Sequence, residues 1–385
     1  MNKLTVIVLF GGISTEHEVS IISGVQVLNA LDKNKYNVIP IYITKKGQWI
    51  KGDESFYNAK TFTDFEKTVN KKKYTFITPD STINYLIEAP NTYTFLKPLI
   101  KKEIDVVFPV FHGRNGEDGS IQGLFEMANL AYVGCGVAAS SIGMDKMISK
   151  RIAESIGVPV MKGNWITEEK KGHAMDGIKF PVYVKPVHLG SSIAVTKAKN
   201  KKELDEALEV AFFYDNKVLV EEGLENAKEV NISLLGNDPY EVSPCEMPVA
   251  TSAVLSFKDK YLSGGNKSRG MASLKRIIPA PIKKETEKKI SEYAIKFFSE
   301  IGGQGIVRLD FLLSRDEKEI YLNEINTIPG SLAFYLWKER GMSFPKLLDK
   351  LIDLGIERHE SKQKLNITFE SNILEGFNGA KGAKS

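Results

Sequence analysis

The stretch that most constrains this chain is residues 305–330, GIVRLDFLLSRDEKEIYLNEINTIPG. It reads as two strands, residues 306–313 and 319–325, joined by the charged turn Ser314, Arg315, Asp316, Glu317 and Lys318. Side chains alternate faces along a strand, so Arg308 and Asp310 share one face, as do Glu324 and Asn326 on the returning strand. A turn centred near Glu317 sets Asp310 opposite Glu324 and Arg308 opposite Asn326. Val307, Leu309 and Phe311 fall on the other, core-facing side. One face therefore gathers two carboxylates, an amide and a guanidinium, and the Pro329-Gly330 turn that follows lets backbone approach a ligand closely. Hard oxygen ligands on rigid strands suit Mg2+, which binds through one or two carboxylates and leaves other positions to phosphates. A single acid on a strand is usually just solvated. The grouping of Asp310 with Glu324 and Asn326 favours a metal site.

A chain of 385 residues is long for one core and calls for two or three domains. The net charge of +4 is spread along the chain, so no basic stripe points to nucleic acid. No apolar run reaches membrane-spanning length, so no membrane partner is expected. Residues 4–10 follow Lys3 as a signal peptide's core would, but the run is brief and leads into GGISTEHE, not a small-residue cleavage site. Cys135 and Cys245 lack metal-type spacing and suit free thiols in a reducing cytoplasm, the expected location.

Residues 4–10 (LTVIVLF) have the β-branched character of a strand buried in a parallel sheet. Gly11-Gly12 ends it, Ser14 or Thr15 is placed to cap a helix from about Glu16, and residues 37–43 form the next strand. This is a Rossmann-like opening without G-x-G-x-x-G. Glu16 sits at the carboxyl edge of that sheet, where an acid either favours the helix dipole or serves a site. Residues 51–103 read as insertions and edge strands. Residues 104–111 form a buried strand running into the loop HGRNGEDG, whose His112 is either structural or part of a site on the same edge as Glu16. Residues 138–156 read as one helix containing Met144-Asp145-Lys146.

Strand 180–186 places Lys185 before the small-residue loop VHLGSS, whose N–H groups can cover phosphates although the standard mononucleotide loop pattern is absent. Residues 204–213 form an amphipathic helix. The strand 217–221 ends in Glu221-Glu222-Gly223-Leu224, an edge able to read an adenine, and Glu229 is the candidate for ribose hydroxyls. Residues 246–278 form a long glycine-bearing loop of the kind that covers sites. Helices are expected within 279–301, at 334–340 and at 344–356, followed by a polar tail.

The motifs GGISTEHEVS, FHGRNGEDGSIQG, MDK, VKPVHLGSS, DKYLS, VRLDF and NEINTIPG occur here in one order, and with them the chain resembles the D-alanine–D-alanine ligases of the ATP-grasp superfamily over residues 4–356. The resemblance implies an α/β fold of three domains: a Rossmann-like unit at 1–134, ATP-grasp subdomains at 135–221 and 222–358, and a partly disordered tail at 359–385. It implies condensation of two D-alanines with ATP through an acylphosphate, for peptidoglycan precursor synthesis. The alternative is a sister ligase with another second substrate, such as D-serine. The implied ligands of two Mg2+ ions, or of Mn2+ in their place, are Asp310, Glu324 and Asn326. Lys146 and Lys185 would bind phosphates, and Arg308 with the Gly330 N–H would stabilise the oxyanion. Glu16 would hold the first substrate's ammonium and form a triad with Ser191 and the lid residue Tyr261, with Lys260 near the second carboxylate. After Gly330 the chain departs from the family pattern, and either Ser331-Leu332 or Tyr335 takes the place that contacts that carboxylate. The resemblance also implies a homodimer.

Overall fold

The computed structural model describes residues 3–65, 74–89, 100–249 and 275–372. The apolar run becomes the strand Leu4–Gly11, hydrogen-bonded in parallel to Tyr36–Ile43 on one side and to Val106–Val110 on the other. Antiparallel strands Trp49–Lys51, Tyr74–Ile77, Tyr85–Ala89 and Ile100–Glu103 extend this sheet to seven, as the polar 51–103 stretch suggested. The helix His17–Ala30 packs on it through Val27 and Leu28. Its N-cap is Glu16, and neither Ser14 nor Thr15 caps it. Ser14 Oγ instead accepts the Glu16 N–H (3.0 Å) and donates to the His112 carbonyl (2.8 Å), so it joins two loops.

A second sheet runs in the order Thr196–Ala198, Val182–Pro186, Val218–Glu222, Gly163–Ile166, all antiparallel. Leu204, Ala207, Leu208 and Ala211 of the helix Lys201–Tyr214 bury against its inner face. A third sheet runs Glu241–Val242, Lys228–Gly236, Gly305–Leu313, Ile320–Asn326. Val230, Ile232 and Leu234 meet Val307, Leu309 and Phe311 on its core face, covered by Ile290, Ala294, Phe297 and Phe298 of the helix Lys284–Glu300. Each fully buried Val, Leu, Ile or Phe side chain of this set contributes roughly 1.5–3 kcal/mol.

The structure corrects three further sequence expectations. The span 138–156 is two helices, Val137–Met144 and Lys146–Ser155, because Asp145 turns extended (φ −86°, ψ 99°) and its carboxylate accepts the N–H groups of Met147 and Ile148. The strand Lys228–Gly236 was not foreseen, and it makes the 305–326 hairpin the edge pair of a four-stranded sheet. The last helix runs Phe344–Gln363, past residue 358, because Leu347, Leu348, Leu351 and Ile352 reach back into the core beneath the first sheet. Arg358 fastens it there, donating to the Tyr132 carbonyl (2.9 Å) and lying 3.9 Å from the centre of the Tyr132 ring. The last helix is thereby tied to the first sheet.

Candidate active site

The hairpin has the register expected of it: Arg308 pairs with Asn326 and Asp310 with Glu324, with a bulge just beyond, so that Phe311 pairs with Leu322. Arg308 grips Asp310 with two parallel bonds, Nε to Oδ1 at 2.6 Å and NH2 to Oδ2 at 2.7 Å. Asn326 Nδ2 donates to the same Oδ2 at 3.2 Å. Both Arg308 and Asp310 are buried. Burial works against the guanidinium's charge, and the Asp310 carboxylate more than offsets it, holding Arg308 well above its ordinary range. A carboxylate offers about four lone-pair sites, so Asp310 keeps acceptor capacity beyond these three bonds. Among the described residues no group of three His, Cys, Asp or Glu side chains gathers around one point. The hairpin offers two carboxylates and an amide, a donor set that fits a hard divalent cation whose shell phosphate oxygens complete.

Lys146 begins the second of the two helices because Asp145 ends the first. It is half-buried, and the loss of solvent around it lowers its pKa; its Nζ donates to the Leu189 carbonyl while lying within electrostatic reach of Glu324 and Glu16. Lys185 projects from the strand Val182–Pro186 to form an ion pair with Glu221 and a 3.0 Å bond to Asn323 Oδ1. Lys150, one helical turn after Lys146, reaches Glu221 at 3.0 Å from the other side. Burial disfavours the Glu221 charge, but Lys150 and Lys185 together pull its pKa down to about 2. Burial likewise opposes the Lys185 charge, and Glu221 reverses the effect, leaving that lysine raised.

Lys146, Lys185, Glu221, Leu224, Glu229 and Glu324 border one cavity of about 500 Å3 between the second and third sheets. A smaller recess adjoining it is lined by Glu117, Lys146, Gly190, Glu324 and Asn326. The strand edge at 221–224 is less open than its sequence suggests: the Glu222 N–H goes to the Lys162 carbonyl and the Gly223 N–H to Pro181, each at 2.8 Å.

Toward the first sheet, Ser191 Oγ donates to Glu16, 175 residues away in sequence. Both are buried. Backbone closes on Glu16 from two sides only because glycine stands there. A Cβ on Gly190 would come within 2.8 Å of Glu16 Oε2, and one on Gly113 (φ +76°) within 2.9 Å. His112 is buried with Nε2 2.9 Å from Ser23 Oγ, and burial lowers its pKa to about 4. Ser23 Oγ also accepts the Ser331 N–H at 3.2 Å, joining His112 to the turn Gly330–Ala333. Ser331 and Leu332 are buried in that turn, and among the described residues Ser331 Oγ has no hydrogen-bond partner. Lys260 and Tyr261 lie outside the described residues.

Two residues of the site escaped the sequence reading. Glu117 lies in the HGRNGEDG loop and accepts the N–H groups of Gly113 (2.8 Å) and Ile328 (2.9 Å), so it stitches the first sheet to the turn after the hairpin. Burial and then the neighbouring Glu16 push its carboxyl up to about 8. Lys150 could have been found from its i+4 spacing to Lys146, which sets both on one helical face.

The chain matches the family models described as D-ala D-ala ligase N-terminus, at residues 5–135, and D-ala D-ala ligase C-terminus, at residues 152–353. It is 38% identical to a D-alanine–D-alanine ligase of Caldicellulosiruptor bescii, with 96% of this chain and 100% of that protein aligned. It is also 38% identical to one from Acetivibrio thermocellus, over 94% of this chain and 98% of that protein. Among solved structures it resembles the VanG D-Ala:D-Ser ligase of Enterococcus faecalis (TM-score 0.77, 34% identity, 92% of this chain and 100% of that one). The D-alanine–D-alanine ligase of Coxiella burnetii is similar too (TM-score 0.76, 29% identity, 94% and 97% covered). With two family models in tandem and relatives this similar along nearly its whole length, the chain belongs to the D-alanine–D-alanine ligase family, whose structures have the ATP-grasp fold.

Proposed function

We propose that the chain is an ADP-forming ligase that joins two D-alanines at the expense of ATP, for peptidoglycan precursor synthesis. The observation that carries this is one cavity bordered by Lys146, Lys185 and Glu324, with the Glu16–Ser191 pair beside the Lys146 end. Lys146 and Lys185 take the phosphates, the 221–224 segment flanks the adenine, and Glu229 takes the ribose hydroxyls. Asp310, Glu324 and Asn326 would hold Mg2+, two ions or Mn2+ in their place, which when bound neutralises phosphate charge. The domain limits that go with this assignment are 1–134, 135–221 and 222 to the end of the helix Phe344–Gln363.

Glu16 holds the first D-alanine by its ammonium. The carboxylate of that substrate attacks the γ-phosphorus, ADP leaves, and an acylphosphate forms. The amine of the second D-alanine attacks the carbonyl carbon, and phosphate leaves with the C–O electron pair. Arg308 and the Gly330 N–H face the oxyanion, a role worth ~3–4 kcal/mol per preorganised donor. Ser331 and Leu332 receive the second carboxylate, with Lys260 nearby, and Tyr261 joins Ser191 and Glu16. His112 supports the same pocket through Ser23. Excluding water protects the acylphosphate from hydrolysis. The working form is a cytoplasmic homodimer. Among the described residues no helix is long and apolar enough to cross a membrane.

A D-Ala–D-Ser ligase is the second reading, favoured by the likeness to the VanG enzyme. ADP release with a panel of second substrates separates the two. Product with D-alanine alone is the expected result, and product with D-serine but not D-alanine would reverse the order.

A further inference from the structure

One buried charged cluster has no part in that chemistry. Glu246 is completely buried, and its carboxylate accepts from the Tyr335 hydroxyl (3.1 Å), Arg276 NH1 (2.9 Å) and Asn231 Nδ2 (3.3 Å). The Arg276 guanidinium lies 3.5 Å from the centre of the Tyr335 ring. Glu246 and Asn231 also exchange both backbone hydrogen bonds, each at 2.9 Å. Asn231 is in turn the register partner of Asp310. Tyr335 is thus moored to the strand beside the hairpin's Asp310.

Tyr335 stands two residues beyond three consecutive left-handed positions, Ser331 (φ 52°), Leu332 (φ 51°) and Ala333 (φ 46°). Side-chain-bearing residues rarely adopt that conformation and persist in it only where their surroundings dictate it. Ser23 Oγ holds the start of this turn at the Ser331 N–H. At its far end Ala333, Tyr335 and Leu336 pack together, with Ile278 against them. Among the described residues Ser331 Oγ has no hydrogen-bond partner within this left-handed turn, which is held at both ends.

On the ligase reading of this site, we infer that Tyr335, held by Glu246 and Arg276, is the positioning residue that fixes the Ser331–Leu332 turn against the carboxylate of the second amino acid. The Tyr335 hydroxyl sets the turn through Glu246, and the ring stacks on Arg276 so that it cannot swing. Tyr335 acts on substrate through the turn, its hydroxyl proton being donated to Glu246.

The test is initial-rate kinetics of ADP release by the full chain over a wide D-alanine range, resolving the first-site and second-site KM. Tyr335→Phe keeps the ring and removes the hydroxyl. It is expected to raise the second-site KM about tenfold, the scale of one hydrogen bond to a charged group. The KM for ATP and for the first D-alanine should stay within about twofold. Arg276→Lys, which keeps the ion pair and loses the stacking, should move the same parameter in the same direction. An unchanged second-site KM in both variants, or a parallel rise in every KM with a lowered Tm, overturns the inference. Should Tyr335→Phe not fold, the Arg276→Lys result decides alone by the same criterion. A wild-type chain without D-alanine-dependent ADP release defeats the ligase reading itself, a result read before any variant is made.

Discussion

Replacing Glu221 by Gln keeps the side chain's shape and removes the negative charge lying between the buried Lys150 and the part-buried Lys185. Lys150 is 3.0 Å from one carboxylate oxygen and Lys185 is bonded to the other, with Glu221 only 1% exposed. Removing one partner of a buried ion pair costs about 3–5 kcal/mol, because the remaining charge is left uncompensated. The pH behaviour supplies a second estimate. A carboxyl depressed from 4.5 to about 2 corresponds to about 3 kcal/mol of preference for its charged form in the fold. The folded pKa lies below the unfolded one, so this stabilisation is fully present above about pH 4.5. It is lost as pH falls toward 2. Urea unfolding followed by tryptophan fluorescence reads it, since Trp165 is the register partner of Leu219 on the Glu221 strand. Glu221→Gln should be less stable than wild type by about 3–5 kcal/mol at pH 7, with the gap narrowing steadily below pH 4.5. A gap under about 1 kcal/mol, or one that does not change with pH, would refute the reasoning.

Glu324→Gln should abolish turnover by weakening the metal site, and near-normal rates at low Mg2+ would count against the hairpin as ligand. Tyr261→Phe should alter second-substrate use, and an unchanged panel of accepted amino acids would remove Tyr261 from the site. His112 is held neutral in the fold with a pKa of about 4 against an ordinary 6.5. The unfolded chain therefore binds the extra proton first, and stability falls as pH drops from about 6.5 to 4. His112→Gln should flatten that limb in acid-unfolding curves, and a limb of unchanged slope would contradict the burial argument. Ser191→Ala removes the hydroxyl that donates to Glu16 and should raise the first-site KM, whereas an unaltered value would show that Glu16 is oriented without it.

Much of the architecture was written locally. Alternation and a turn centred near Glu317 put Asp310 opposite Glu324 and Arg308 opposite Asn326, and the structure keeps those pairs through a bulge: the pairs nearest the turn are one residue out of step with them, Phe311 meeting Leu322. The run at Leu4–Gly11 could be read as a buried strand because its residues suit no other surface. The break at Asp145 was also local, a short acceptor before two free N–H groups, but apolar residues on both sides made it look like one helix. The strand Lys228–Gly236 shows alternation at Val230, Ile232 and Leu234, yet its flanking acids drew attention to their charges instead.

What the tertiary structure alone decided is which charges share a cavity. Nothing near Glu221 in the chain foretells that its carboxylate will lie between Lys150 and Lys185. Nothing near Tyr335 foretells Glu246, and Ser191 meets Glu16 across 175 residues. Periodicity is a property of neighbours along the backbone, so it can be read before folding. The cost of burying a charge is met by whichever segment the packed sheets bring against it, and that is settled only when the core closes.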